Sequence, residues 1–347
     1  MRILFVRLSS FGDVVFALPA AKALRTNLAG VHLTWAIEPP LAPLVAGAAF
    51  VDDVVPVNTR GWRRAWRAAK TREEISDFLR TVRGRPFDLV VDAQGLFKSA
   101  LVTTAASSAG RRVGFGWRTS TEWINCLFTD EHVEAADRPH VADRMLALAE
   151  HVTGKTGFER TPDVKHLIER EDLVVDAWLD QMGGRRFAVL QPFSSKVNKE
   201  WAAGDVVAFA EWLGEQRIQP VLRWGPGEES RADALITLSK KSFSSSSLSS
   251  SPSSSLALIL APPTTPASSA RLASRAALFI GADTGPTHLA AAAGTPTLVL
   301  FGPTPIERFG PIGPRTAALR EFPADYNRSG PRWPANAVHE AVRHLLA

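Results

Sequence analysis

Short apolar runs alternate along the chain with longer stretches of helical spacing. Arg2–Leu8 is the first run, followed by Ser9-Ser10-Phe11-Gly12-Asp13 and an Ala/Leu-rich stretch to about Asn27. Val31–Ile37 and Asp88–Asp92 repeat the theme, the second leading through Ala93-Gln94-Gly95 into a helix from about Leu96. Arg186–Gln191, Pro220–Trp224, Leu278–Gly281 and Thr297–Phe301 continue it. Runs of Val, Leu and Ile without polar alternation are strands buried on both faces. Their alternation with helices predicts parallel sheets covered on both sides. The pattern restarts after a polar stretch around Thr153–Lys165 that holds Gly154, Gly157 and Pro162. This predicts two doubly wound α/β domains, residues 1–162 and 163–347, with a cleft between them at the carboxyl ends of the strands. Ala335–Leu346 reads as a terminal amphipathic helix. Ser242–Ser255 is almost all serine and reads as a flexible surface loop, because it has too little apolar surface to offset its ordering entropy.

Composition narrows the class. With 347 residues, 45% hydrophobic and 22% charged, the chain suits two domains of about 150 residues and is not intrinsically disordered. A single cysteine, Cys126, excludes an internal disulfide framework and a Cys-based zinc cluster, and is compatible with a reducing cytoplasm. No apolar run approaches the roughly 18–20 residues of a membrane span. Arg7 interrupts the N-terminal run before it could serve as a signal peptide. The net charge of +5 and a pI near 9.6 favour an anionic partner, whether nucleic acid, acidic lipid or a phosphorylated small molecule.

Five segments carry candidate chemistry. Gly281-Ala282-Asp283-Thr284-Gly285-Pro286-Thr287-His288 reads as strand, sharp turn and helix start. Thr284, Gly285 and Thr287 would put N–H groups and hydroxyls at a helix N-terminus, an anion site to which His288 can add a hydrogen bond. The same residues fit a tight turn capped by Asp283 with His288 in the core, and both readings stand. Ser194-Ser195-Lys196-Val197-Asn198-Lys199 places hydroxyls and a lysine at a strand exit, which suits phosphate or a plain solvated loop. Glu228, after Trp224-Gly225-Pro226-Gly227, could meet ribose hydroxyls or open a helix. Asp13 at a helix start is a cap or a general base, and the helix end should keep it ionised. Finally, Arg60-Gly61-Trp62-Arg63-Arg64-Ala65-Trp66-Arg67-Ala68-Ala69-Lys70 predicts one helix with Arg60, Arg63, Arg64 and Arg67 on one face and Trp62, Ala65, Trp66 and Ala69 on the other. Such a cationic stripe matches phosphate and carboxylate, and Lys98 and Arg118 add charge in the same half.

There is no Walker-type phosphate loop, nucleophile elbow, His-Glu-x-x-His or Asp-x-Asp metal pair. Asp283-Thr284-Gly285 lacks the second copy that an aspartic protease needs.

Taken together, Ser9-Ser10-Phe11-Gly12-Asp13-Val14, Arg60-x-Trp62-Arg63-Arg64-x-Trp66, Asp92-Ala93-Gln94-Gly95-Leu96-Phe97-Lys98-Ser99, Lys199-x-Trp201 and Asp283-Thr284-Gly285-Pro286-Thr287-His288 resemble, in order and spacing, glycosyltransferase family 9. These are the ADP-heptose:lipopolysaccharide heptosyltransferases, and the likeness is greatest to their type I members. The resemblance spans nearly the whole chain except the serine tract. It implies a GT-B fold of two Rossmann-like domains and inverting transfer of L-glycero-D-manno-heptose from ADP-heptose to Kdo of the lipopolysaccharide inner core. It implies Asp13 as base and Lys199 on the donor phosphate. Ser194, Ser195, Glu228, Asp283, Thr284, Gly285, Thr287 and His288 would line the donor site, with Thr264 and Thr265 nearby. Ser10, Arg60, Arg63, Arg64, Lys98 and Arg118 would meet the acceptor. No metal and no cofactor are expected, ADP-heptose being a substrate. The expected partners are ADP-heptose, Kdo-lipid A and, through the basic patch, the cytoplasmic face of the inner membrane, with no nucleic acid. A type II or other family 9 transferase with a different acceptor is the alternative. An epimerase on the same fold and a nucleic-acid binder are the rivals outside the family.

Overall fold

The computed structural model describes residues 1–106, 110–246, 256–320 and 333–347. The chain divides into two compact units, Met1–His166 and Leu167–Ala347. Unit 1 runs β1 (Arg2–Val6), α1 (Phe11–Asn27), β2 (His32–Ile37), β3 (Asp53–Pro56), α2 (Thr59–Arg64), α3 (Ala69–Arg83), β4 (Leu89–Asp92), α4 (Phe97–Ala105), β5 (Arg111–Phe115), β6 (Glu131–Val133) and α5 (Val141–Thr153). A short α6 (Lys165–Ile168) leads into unit 2. That unit runs α7 (Leu173–Met182), β7 (Phe187–Gln191), α8 (Ala203–Glu215), β8 (Gln219–Leu222), α9 (Glu229–Ser246), β9 (Ile259–Leu260) and α10 (Ser268–Arg275). It ends with β10 (Leu278–Ala282), α11 (Gly285–Ala292), β11 (Thr297–Phe301), α12 (Ile306–Phe309), β12 (Thr316–Arg320) and α13 (Ala335–Leu346).

Each unit holds one six-stranded sheet, in the orders β3-β2-β1-β4-β5-β6 and β12-β11-β10-β7-β8-β9. Every pairing is parallel. Parallel strands need helical crossovers, and helices on both faces bury the sheet. Accordingly Ile3, Leu4, Phe5 and Val6 of β1 and Leu298, Val299, Leu300 and Phe301 of β11 are fully buried. Each such side chain stabilises the fold by about 1.5–3 kcal/mol relative to exposure. Trp35, on β2, is fully buried, edge-on to Phe5 at 4.7 Å, with its indole N–H donated to the Arg7 carbonyl at 3.0 Å. The parallel arrangement collects the loops that follow the strands at one edge of each sheet, and every candidate residue lies in such a loop or on the helix that follows it.

Three expectations change. The first strand ends at Val6 because the Leu8 and Ser9 N–H groups turn to the Gln94 side chain. The single helix over Arg60–Lys70 is broken: α2 stops at Arg64 and α3 begins at Ala69. Trp62 donates its indole N–H to Glu74 at 3.1 Å and packs on Phe78, both on α3, so the chain must turn back between them. Trp66 is therefore 62% exposed and does not share the anchoring role of Trp62. In the serine tract, α9 continues through Ser246, so its first residues are helical rather than loop. Residues 247–255 lie outside the described part.

Candidate active site

In unit 1 the site is built on the exits of β1 and β4. Gln94 clamps the segment after β1: its Oε1 accepts from Leu8 N (2.8 Å) and Ser9 N (3.2 Å), and its Nε2 donates to Ser9 O (2.9 Å). Gln94 is itself held by the buried Asp92, whose Oδ1 accepts from the N–H groups of Gln94 and Gly95. Gly95 has φ +68°, a left-handed conformation that favours glycine. Arg7, nearly buried, donates Nη1 to Ala93 O at 2.6 Å and sets Nη2 3.0 Å from Asp13 Oδ1.

This frame fixes Asp13 in the first turn of α1. Its Oδ2 accepts from the Ser10 hydroxyl (2.7 Å) and the Ser10 N–H (3.1 Å). Burial pushes the carboxyl pKa up, but the Arg7 guanidinium and the Ser10 hydrogen bonds outweigh it, and the net shift is downward. The side chain remains 22% exposed, so an ionised carboxylate reaches solvent. Lys98 donates Nζ to Ser9 Oγ at 2.6 Å. Burial pulls the Lys98 pKa down; buried Glu38 opposes this, while Arg60 and Arg7 add to it. Glu38 in turn accepts the Thr59 hydroxyl. Ser10, Asp13, Lys98 and Arg60 thus form one electrostatic group. Arg63, Arg64 and Arg118 are exposed on the loops and helix end around it.

In unit 2 the centre is Asp283 at the exit of β10. Lys199 Nζ lies 2.6 Å from its Oδ2, and His288 Nε2 3.0 Å from its Oδ1. Burial raises the Asp283 pKa, yet the His288 and Lys199 contacts win and hold it at about 2. Trp201, buried against Phe209, anchors the loop that carries Lys199. Thr284 is the N-cap of α11 in extended conformation, and Gly285 opens the helix with Pro286 in its first turn. Thr287 differs from the expectation of a ligand contact: it is fully buried, and its hydroxyl donates to Ala282 O at 2.8 Å, closing the turn. His288 is also buried and acts on Asp283.

Around this centre Ser194 accepts the Lys196 N–H at its hydroxyl (3.3 Å), and Ser195 is exposed. Glu228 accepts the Gly225 N–H at 2.6 Å on its carboxylate and the Arg231 and Ala232 N–H groups on its carbonyl, just before α9, as a helix-opening residue does. Thr264 and Thr265 bond to Ser269 and Ser268 at the start of α10. Sequence reasoning missed Arg223, buried at the exit of β8, with Nη1 on Gln191 (2.6 Å) and Nη2 on Ser269 (2.8 Å). Burial pushes its pKa down to about 10, so it stays cationic at neutral pH. The available signal was a charge inside the otherwise apolar run Pro220–Trp224. Arg7 left a similar signal, a charge straight after a buried strand.

Chemically, unit 1 offers an ionised carboxylate beside cations, and unit 2 offers an ammonium next to a helix N-terminus. The first suits proton acceptance, the second an anionic leaving group.

Residues 75–329 match the family described as glycosyltransferase family 9 (heptosyltransferase). The chain is 30% identical over 308 residues to lipopolysaccharide heptosyltransferase 1 of Salmonella typhimurium, covering 88% of this chain and 89% of that protein. It is 28% identical over 324 residues to the Escherichia coli K12 protein of the same name, covering 92% and 93%. The solved structure of E. coli heptosyltransferase WaaC with ADP superposes with a TM-score of 0.82 at 26% identity, covering 99% of this chain and 100% of that one. The resemblance read from the motifs is borne out, and the two sheets are those of the GT-B class. The chain belongs to glycosyltransferase family 9, the heptosyltransferases, and is a sugar-transferring enzyme.

Proposed function

We propose that this enzyme moves a heptosyl residue from ADP-heptose to a Kdo hydroxyl of the lipopolysaccharide inner core, with inversion at the anomeric carbon. The similar proteins from Salmonella and E. coli bear the name lipopolysaccharide heptosyltransferase 1, and WaaC has been solved with ADP and with ADP-2-deoxy-2-fluoro heptose. The observation that carries the mechanism is the ionised, solvent-reaching carboxylate of Asp13 held between Arg7 and Ser10. As the acceptor oxygen bonds to the anomeric carbon, Asp13 takes its proton. The bond from that carbon to the ADP oxygen breaks, and ADP departs with the electron pair. Inverting transfer needs one base on the face opposite the leaving group, unlike the two carboxyl groups of a glycosidase.

ADP leaves as a stable anion. Lys199 has two ammonium hydrogens besides the one directed at Asp283, and the N-terminus of α11 adds positive potential. These groups take the developing phosphate charge, and a metal is not required in this scheme. Ser194, Ser195, Thr284 and Gly285 meet the diphosphate, with Asp283 and His288 orienting Lys199. Glu228 accepts from the ribose. Ser10, Arg60, Arg63, Arg64, Lys98 and Arg118 take the acceptor's carboxylates and phosphates. That charge complement also suits a peripheral position on the cytoplasmic face of the inner membrane.

The Asp13→Asn variant tests the scheme. ADP affinity by calorimetry should stay near wild type, while turnover with ADP-heptose and Kdo-lipid A falls by about 10²–10⁴. Near-normal turnover would remove Asp13 as the base. Dialysis against EDTA should leave the wild-type rate unchanged.

A further inference from the structure

We propose that Arg231 and Glu200 are a positioning pair that holds the phosphate loop of unit 2 and so sets the aim of Lys199. The pair rests on the donor site proposed for that unit and acts through Ser194 and Lys199 rather than on the reacting atoms. The chain between Pro192 and Trp201 has little regular structure, a single short turn at Val197–Lys199. Its ends are joined by the Trp201 N–H on Pro192 O at 3.1 Å. Side chains supply two further ties. Glu200 Oε1 accepts the Ser194 N–H at 3.1 Å, drawing the start of the loop to the residue beside Lys199. Arg231 Nη2 lies 2.5 Å from Glu200 Oε2, and the guanidinium sits over the ring of Phe193, 4.6 Å from its centroid. Phe193 is buried and so gives a fixed platform. One side chain therefore grips both ends of the loop.

Arg231 stands in the first turn of α9, with its N–H on Glu228 O at 3.1 Å and its charge within electrostatic reach of the Glu228 carboxylate. It thus joins the loop of hydroxyls and ammonium to the residue proposed to meet the ribose. An exposed ion pair adds little to stability. Glu200 is different, because its side chain is only 13% exposed and both of its oxygens are engaged. Removing Arg231 would strand that carboxylate next to Lys199, on a loop that has to accept a diphosphate. The stranded charge would compete for cations and repel the donor. Removing the Glu200 charge as well would relieve that repulsion, an outcome that mere loss of a fold contact does not give.

Calorimetric titration of the full chain with ADP tests this. Arg231→Met should weaken ADP binding about tenfold, and Glu200→Gln about threefold. The double variant Arg231→Met/Glu200→Gln should bind ADP like Glu200→Gln, and hence more tightly than Arg231→Met. Arg231→Lys, which keeps the charge, should stay within about threefold of wild type. The thermal midpoint of every variant should lie within about 3 °C of wild type. In the ligand-free protein, hydrogen exchange over residues 193–200 should quicken in Arg231→Met. Wild-type ADP affinity in Arg231→Met, a double variant weaker than Arg231→Met, or affinity lost only in step with a large fall in thermal midpoint would each overturn the proposal. A wild-type enzyme that binds ADP but transfers nothing from ADP-heptose would instead count against the transfer reading alone. Failure of the wild type to bind ADP would remove the donor site and the role of the pair with it.

Discussion

Asp13 has both carboxylate oxygens engaged, one by Arg7 and one by Ser10. A base so held is weak but always available. Arg7 leads the interactions that lower its pKa, so Arg7→Met should raise it and move the acid limb of the kcat/KM profile to higher pH. Arg7→Lys should keep that limb close to wild type. Asp283 gives a second test at the same scale, read through stability. Its folded pKa of about 2 lies below the ordinary 3.8, so folding favours the ionised form. The resulting stabilisation, about 2 kcal/mol, is complete above about pH 4–5 and disappears as the pH falls through about 2. Urea unfolding of wild type and Asp283→Asn over that range should show a steeper acid loss for wild type. Equal slopes would mean that the Lys199 and His288 contacts do not persist in solution.

At the level of elements, the β10–α11 turn depends on a close approach. A Cβ on Gly281 would stand 2.7 Å from the Gln191 backbone oxygen and 3.0 Å from Thr287 Oγ1. Gly281→Ala should therefore cost about 1–3 kcal/mol, measurable by chemical denaturation, and should weaken ADP binding by displacing the start of α11. The central strands and this turn were legible in the sequence because an unbroken apolar run followed by Gly and Pro has few other solutions. Strands β3, β5, β6, β9 and β12 were not: β3, β5 and β6 open on the charged Asp53, Arg111 and Glu131, and β6 and β9 are only three and two residues long. Their strand character comes from pairing with neighbours rather than from local pattern. The Arg60–Arg67 stripe failed for a related reason. Its periodicity is helical, but the tertiary pull of Glu74 and Phe78 on Trp62 breaks the helix. Of the site, residues within motifs could be named from spacing. The frame of Arg7, Asp92 and Arg223 that holds them could not, since it depends on contacts distant in sequence.

For the whole molecule, the division of labour between two units has a direct readout. Hydrogen exchange with and without ADP should show its strongest new protection in Ser194–Lys199 and Asp283–His288 of unit 2, and less in Ser9–Asp13 of unit 1. Equal protection of the Ser9–Asp13 segment would argue against a donor site built on unit 2. The all-parallel sheets also leave their opposite edges without candidate chemistry. Gly183 and Gly184 lie there, between α7 and the start of β7, both left-handed and with nothing within 4 Å of where a side chain would project. A peptide epitope spliced between those two glycines should leave catalysis intact and give a handle for fixing the enzyme to a support with its working rim free.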